Sequence, residues 1–283
     1  MAARGAVVIT GTSTGIGRAC ALRLDQSGFE VFACVRRPDD GKRLRDHASE
    51  RLRPLIVDVT DSDSIADAAA TVRRAVGDGG LTGLVNNAGM TVTGPLEFIP
   101  LDQLRQQLEV NLIGQVAATQ GFLPLIRKAR GRIVNMSSIG GRVSNGFLAP
   151  YQASKFAIEA VTDSLRKELR PWGIHVVAIE PGSIATPIWD KGSESAFAML
   201  EQMPAEAHEL YGEAIPKVAE MARKLGERAI PPERVAKVVL RALTARRPRT
   251  RYLVGTDARV QLALNRLLPD RAMDALEARM MGL

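Results

Sequence analysis

Thr10-Gly11-Thr12-Ser13-Thr14-Gly15-Ile16-Gly17 closes an apolar run that begins at Ala6, and a helical pattern follows it. Glycines at 11, 15 and 17 let the backbone turn sharply and come close to a ligand. The N-terminus of the following helix offers unpaired N–H groups and the positive end of its dipole, which together suit a pyrophosphate. The same residues also spell G-x-S-x-G, from Gly11 to Gly15, the pattern of a hydrolase nucleophile elbow. That motif needs earlier strands and an upstream loop to complete its oxyanion hole. Only ten residues precede Gly11. Ser13 is better suited to donate a hydrogen bond to a phosphate or ribose than to act as a nucleophile.

Working outward, short β-branched runs alternate with longer helical patterns. Strands are expected at Ala6–Thr10, Glu30–Val35, Pro54–Val57, Leu84–Asn86, Arg132–Met136, His175–Ile179 and Tyr252–Val254. Helices are expected between them, at Ser62–Val76, Leu101–Ala129 and Tyr151–Arg170. Several strands are almost wholly apolar, as in a parallel sheet covered on both faces. The pattern predicts an α/β doubly wound sheet of seven parallel strands, with its ligand crevice at their carboxyl ends. Residues 186–229 break the rhythm and are expected to form a helical lid. Residues 258–283 carry Leu262, Leu267, Leu268, Met273, Leu276 and Met280 at helical spacing and form a C-terminal extension. The whole chain, 1–283, is expected to be one domain.

Composition narrows the function classes. A hydrophobic fraction of 46% without long polar tracts indicates a globular protein. No apolar run approaches the ~20 residues of a membrane span. The opening Met-Ala-Ala-Arg-Gly enters a strand too soon for a signal peptide, and the two cysteines, Cys20 and Cys34, make no framework. A cytoplasmic setting is the expectation. His47, His175 and His208 match no metal-ligand spacing, so no metal is expected. The net charge of +7 is densest at Arg246, Arg247, Arg249 and Arg251, read as a solvated loop. No aromatic interleaving or nucleic-acid motif accompanies it, so no nucleic-acid partner is expected.

An acidic residue usually ends the second strand of a dinucleotide fold and binds the ribose 2′-hydroxyl. Here Arg36 and Arg37 stand in its place. Guanidiniums match a phosphate, which favours NADP(H) over NAD(H), while NAD(H) stays open. Asp58 is placed to meet the adenine or to cap the following turn.

Tyr151 and Lys155 fall one helical turn apart, on one face. An ammonium ~5 Å from the phenol, at an effective dielectric near 20, favours phenolate by roughly 3 kcal/mol, about two pKa units. That brings the tyrosine towards the range of a general acid/base. Ser138 ends the fifth strand, where a hydroxyl can hydrogen-bond a substrate oxygen.

On these pieces, with Asn86-Asn87-Ala88-Gly89, Asn111 and Pro181-Gly182, the chain resembles the short-chain dehydrogenase/reductase family over nearly its whole length. The resemblance implies a Rossmann fold and a catalytic tetrad of Asn111, Ser138, Tyr151 and Lys155. In that tetrad Tyr151 exchanges the proton and Ser138 orients the carbonyl. Lys155 binds the nicotinamide ribose and tunes Tyr151, and Asn111 holds a water linking Lys155 to solvent. The cofactor is implied to lie against Gly11, Ser13, Thr14, Gly15, Ile16 and Gly17, against Asp58 and Val59, and against Asn87, Ala88 and Gly89. Beyond these it meets Tyr151 and Lys155, then Pro181, Gly182, Ile184 and Thr186, the last two near the carboxamide. Asp58-Val59-Thr60, the run Gly83–Gly89, the run Ala129–Asn135 and the run Arg247–Tyr252 resemble the branch containing retinol, hydroxysteroid and 3-hydroxybutyrate dehydrogenases. That branch implies a lipophilic alcohol or ketone as substrate, and the family implies a homodimer or homotetramer through the helices at 101–129 and 151–170. Reduction of 3-oxoacyl thioesters and dinucleotide sensing without turnover are the alternative readings.

Overall fold

A computed structural model describes residues 4–187 and 204–281. Seven strands, β1 (Ala6–Ile9), β2 (Glu30–Val35), β3 (Leu52–Ile56), β4 (Gly83–Asn86), β5 (Arg132–Met136), β6 (His175–Pro181) and β7 (Arg251–Val254), form one sheet in the order β3-β2-β1-β4-β5-β6-β7. Every pairing is parallel. The order reverses between β1 and β4, so the connections leaving these strands diverge and open a crevice at their carboxyl ends.

Helices cover both faces. One face packs α1 (Gly15–Gln26) and α9 (Pro232–Thr244) on the sheet, burying Leu24, Val235 and Val239. The other packs α3 (Ser62–Val76) and α5 (Gly114–Ala129), burying Val72, Phe122 and Ile126. Side chains alternate along β1, Val7 and Ile9 joining the first core and Ala6 and Val8 the second. Each such residue contributes about 1.5–3 kcal/mol when fully buried. The remaining helices are α2 (Pro38–Arg45), α4 (Leu101–Leu108), α6 (Ala149–Glu168), α7 (Ala205–Tyr211), α8 (Ala214–Glu227), α10 (Thr256–Leu267) and α11 (Asp270–Met281).

Besides shifts of one or two residues elsewhere, three departures from the sequence expectation bear on the site. The third strand begins at Leu52, with Pro54 paired to Ala33; an edge strand has one free side, which tolerates the missing N–H. Asp58 therefore lies beyond the strand. The helix expected at 101–129 is interrupted by a π turn at Glu109–Ile113, which no hydrophobic period reveals. The sixth strand runs on to Pro181. Of the expected lid, 188–203 falls outside the described residues, while α7 and α8 supply helices to the rest. No helix among the described residues is long and apolar enough to cross a membrane.

Candidate active site

The glycine turn is braced from two sides. The Thr12 amide and hydroxyl each donate 2.9 Å bonds to the Cys34 carbonyl, tying the turn to β2. The Thr10 hydroxyl accepts the amides of Asn87 and Ala88 at 2.9 and 3.0 Å, and the Asn87 side chain donates back to the carbonyls of Thr10 and Gly11. Asn87, expected against the cofactor, thus spends its carboxamide N–H groups on holding the turn. Gly11 has φ +69°, and a Cβ there would lie 2.7 Å from the Ala88 Cα. At Gly17 a Cβ would overlap the Gly11 carbonyl and the Asn87 amide. Thr14 precedes α1 without a side-chain cap, leaving the first N–H groups of the helix for an anion.

A third loop closes on this turn. Gly182 donates to the Val254 carbonyl at 2.8 Å, and Ser183 donates to the Asp257 carboxylate at 2.6 Å. Ile184 forms a bridge with Ile230, and the Thr186 side chain lies beside Gly15. Asp257 carries no motif signal, yet it pins the loop after β6 from α10.

At the far end of the crevice, Arg36, Asp58, Thr60 and Arg105 help line a cavity of about 330 Å³. The Thr60 amide and hydroxyl, at 2.9 and 2.7 Å, hold the Asp58 carboxyl below its usual range, and nearby Arg36 adds to this. Asp58 therefore both caps its turn and faces the cavity. Arg37 stands at the start of α2, exposed and outside the lining residues; of the two arginines only Arg36 reaches the cavity. Val59 is buried beneath Gly114 and shapes the wall from behind. Arg105 reaches the cavity from α4, a site far along the chain that sequence motifs do not mark. Glycines that clear the turn, free N–H groups and this cavity together fit a dinucleotide.

Tyr151 lies in the first turn of α6 and Lys155 one turn on. The Lys155 ammonium is 5.6 Å from the Tyr151 ring centre and donates a 2.8 Å bond to the Met136 carbonyl at the end of β5. Ser138 follows β5 by two residues, accepts the Gly140 amide at 3.0 Å and hydrogen-bonds Tyr151. Ser137 instead points to Gly141, whose added Cβ would lie 2.9 Å from its hydroxyl. Ser138, not Ser137, is the serine beside the phenol. Asn111, in the π turn, donates to the Met90 carbonyl at 3.0 Å and to Ser154 at 3.1 Å, and accepts the Met90 amide at 2.8 Å. Its side chain anchors the loop after β4 and α6 and does not reach Lys155 directly. Gly89 lies between, exposed, with an added Cβ 3.4 Å from the Asn111 oxygen.

Burial decides the electrostatics. It pushes the Lys155 ammonium down to about 8, with Glu159 pulling the other way. It also raises the Tyr151 phenol above its ordinary value, with the Ser138 hydrogen bond opposing. The i,i+4 spacing alone predicts a lowered phenol. The protein's own groups raise it, because desolvation penalises both charged forms before the ammonium can act.

Val92, Ile99, Ala207 and Ile215 form a separate buried apolar cluster, flanked by Phe98, Phe147, Tyr211 and the Met90 that Asn111 holds. Tyr211 meets Phe98 and Phe147 edge-on, at 5.9 and 6.1 Å, and its hydroxyl donates to Glu97. The cluster draws on the loop after β4, the loop before α6, α7 and α8.

Residues 5–196 match the family model described as short chain dehydrogenase. The chain is 39% identical to retinol dehydrogenase 5 of Mus musculus over 277 residues, 95% of this chain and 86% of that protein. It is 40% identical to 17-beta-hydroxysteroid dehydrogenase type 6 of Bos taurus over 278 residues, 96% and 87% of the two chains. Among solved structures, a short chain dehydrogenase from Burkholderia cenocepacia in complex with NADP superposes with TM-score 0.72 at 25% identity, covering 97% of this chain and 96% of that one. A crevice shaped for a dinucleotide, opening beside a tyrosine, a serine and a buried lysine, and these likenesses along almost the whole chain lead to one conclusion. The protein is an NAD(P)-dependent oxidoreductase of the short-chain dehydrogenase family, in its retinol and hydroxysteroid dehydrogenase branch, acting on CH–OH groups.

Proposed function

We propose that the chain interconverts a lipophilic alcohol and its carbonyl compound, of retinoid or steroid type, with NADP(H) as cofactor. This reading rests on the grouping of Tyr151, Ser138 and Lys155 at the start of α6, with the cluster of Phe98, Phe147 and Tyr211, which reaches the residues just before that helix, read as the apolar mouth of the site. The cofactor, when bound, supplies or accepts the hydride. Ser138 holds the substrate oxygen by hydrogen bond. Tyr151 gives that oxygen a proton in reduction and takes one back in oxidation. Lys155, charged, favours the phenolate that remains and orients the ribose. Asn111 is a positioning residue that fixes the α4–α5 junction against α6 through Ser154. Exclusion of water by the apolar mouth strengthens each of these contacts.

Arg36 supports the phosphorylated cofactor, since it faces the adenosine-sized cavity where no carboxylate ends β2. The relative bound to NADP and the names of the retinol and hydroxysteroid dehydrogenases point the same way on cofactor and substrate class. Ile113 and Phe156, exposed on the π turn and α6, support self-association into a homodimer or homotetramer. The test is turnover with NADPH and NADH in parallel, across retinoids, ketosteroids and 3-oxoacyl thioesters. Loss of a charged hydrogen bond is worth about 1.5–3 kcal/mol, so NADPH is expected to lead in kcat/KM by roughly ten- to hundredfold. Preference for NADH overturns the cofactor assignment, and turnover confined to thioesters overturns the substrate class.

A further inference from the structure

The arginine run before β7 divides into two kinds of side chain. Arg251 is paired, with Glu159 and Asp163 both at 2.9 Å and Glu180 at 3.2 Å. Arg142 shares Glu180 at 3.0 Å. Arg249 stands outside this network and, with Arg142 and Arg251, lines a cleft of about 500 Å³ between the end of α9, β7 and α10. Arg241 enters it from α9, and Arg259 and Arg266 enter from α10, two turns apart on one face. These four guanidiniums have no carboxylate within ion-pair distance among the described residues. The single acid lining the cleft, Glu180, is already shared by Arg142 and Arg251. Val238 and Leu262 add apolar surface between the charges.

Four unneutralised guanidiniums around one hollow repel each other and contribute nothing to a core. They are matched by an oxyanion, which planar N–H forks grip in pairs. We propose that this cleft is a second binding site, separate from the dinucleotide crevice, for a phosphate monoester carrying an apolar chain. Arg241, Arg249, Arg259 and Arg266 take the phosphate, and Val238 and Leu262 take the start of the chain. The phosphate belongs either to a lipid headgroup in a bilayer or to a soluble amphiphile.

The experiment uses the full chain with saturating NADP and, separately, saturating NAD, so that the dinucleotide crevice is filled. Dihexanoyl phosphatidate, kept below its micelle concentration, is titrated by calorimetry. Phosphatidylcholine vesicles with and without phosphatidate are tested by co-sedimentation. The Arg259→Glu/Arg266→Glu pair is expected to lose at least about tenfold in affinity. Arg241→Ala, a smaller change, is expected to lose part of that. The Arg246→Glu/Arg247→Glu pair carries the same charge change on exposed residues outside the cleft and is expected to bind as before. Capture by phosphatidate vesicles alone assigns the headgroup of a bilayer, and binding of monomeric phosphatidate assigns a soluble amphiphile. Absence of binding in both assays overturns the site, as does an equal loss in the two double variants.

Discussion

The Lys155 ammonium donates a 2.8 Å hydrogen bond to the Met136 carbonyl and lies one helical turn before Glu159 on α6. The carbonyl fixes the ammonium at the end of β5, near Ser138, while burial lowers its proton affinity to about 8 and Glu159 partly restores it. The lysine that must be charged to support the phenolate is therefore charged only below that pH.

The pH profile of reduction follows from this. With Tyr151 as proton donor and Lys155 charged, kcat/KM is expected to fall as pH rises through about 8. Glu159→Gln removes the carboxylate that raises the lysine, so the break moves to lower pH, by up to about one unit. An unmoved or raised break would contradict the coupling. The same group affects stability: between about 8 and 10.5 the unfolded chain holds the proton that the folded chain has released. Its contribution to stability therefore grows as pH rises through that window.

Arg36 gives the second prediction. Arg36→Asp places a carboxylate where the cavity now offers a guanidinium, beside Asp58. The ratio of kcat/KM with NADPH to that with NADH is expected to fall by roughly ten- to hundredfold or more. Arg37→Ala, outside the cavity, is expected to leave the ratio nearly unchanged. Equal effects of the two variants would remove the distinction drawn between them.

A buried polar ladder gives the third. The Asn86 amide donates to Thr119 at 2.8 Å and to the Asn135 carboxamide oxygen at 2.9 Å, and the Asn135 amide donates to Thr162 at 2.8 Å. These bonds join neighbouring strands β4 and β5 to α5 and α6 inside the protein. Asn135→Ala leaves one buried Asn86 N–H unpaired and removes the donor to the Thr162 hydroxyl, which keeps its own bond to the Ile158 carbonyl, and is expected to cost about 1–3 kcal/mol. Urea unfolding at constant m-value checks this; a change under about 0.5 kcal/mol, the level of a surface substitution, would contradict it.

The alternation of apolar strands and helices was enough to place the sheet, because both of its faces are buried and the runs are uninterrupted. Tyr151, Lys155 and the glycine turn were legible because their chemistry depends on short-range spacing within one turn or one loop. The π turn around Asn111 was not, because five residues are too few to set a hydrophobic period of their own. Arg105, Asp257 and the Asn86–Asn135 ladder escaped for another reason: their partners are remote in sequence and meet only after the sheet forms. Arg36 and Arg37 looked equivalent, and only the start of α2 at Pro38 separates the one facing the cavity from the one facing solvent. The Tyr151 phenol shifts opposite to the direction its spacing from Lys155 implies, because spacing reports the neighbouring charge and says nothing of desolvation.

Tyr151→Phe, measured for both turnover and binding of reduced cofactor, decides whether Tyr151 passes the proton while the cofactor moves the hydride. A fall in kcat of about 10²–10⁴-fold is expected, with cofactor affinity nearly unchanged, since only the proton-bearing oxygen is removed. Retention of most of the wild-type rate, with the cofactor bound as before, would contradict it.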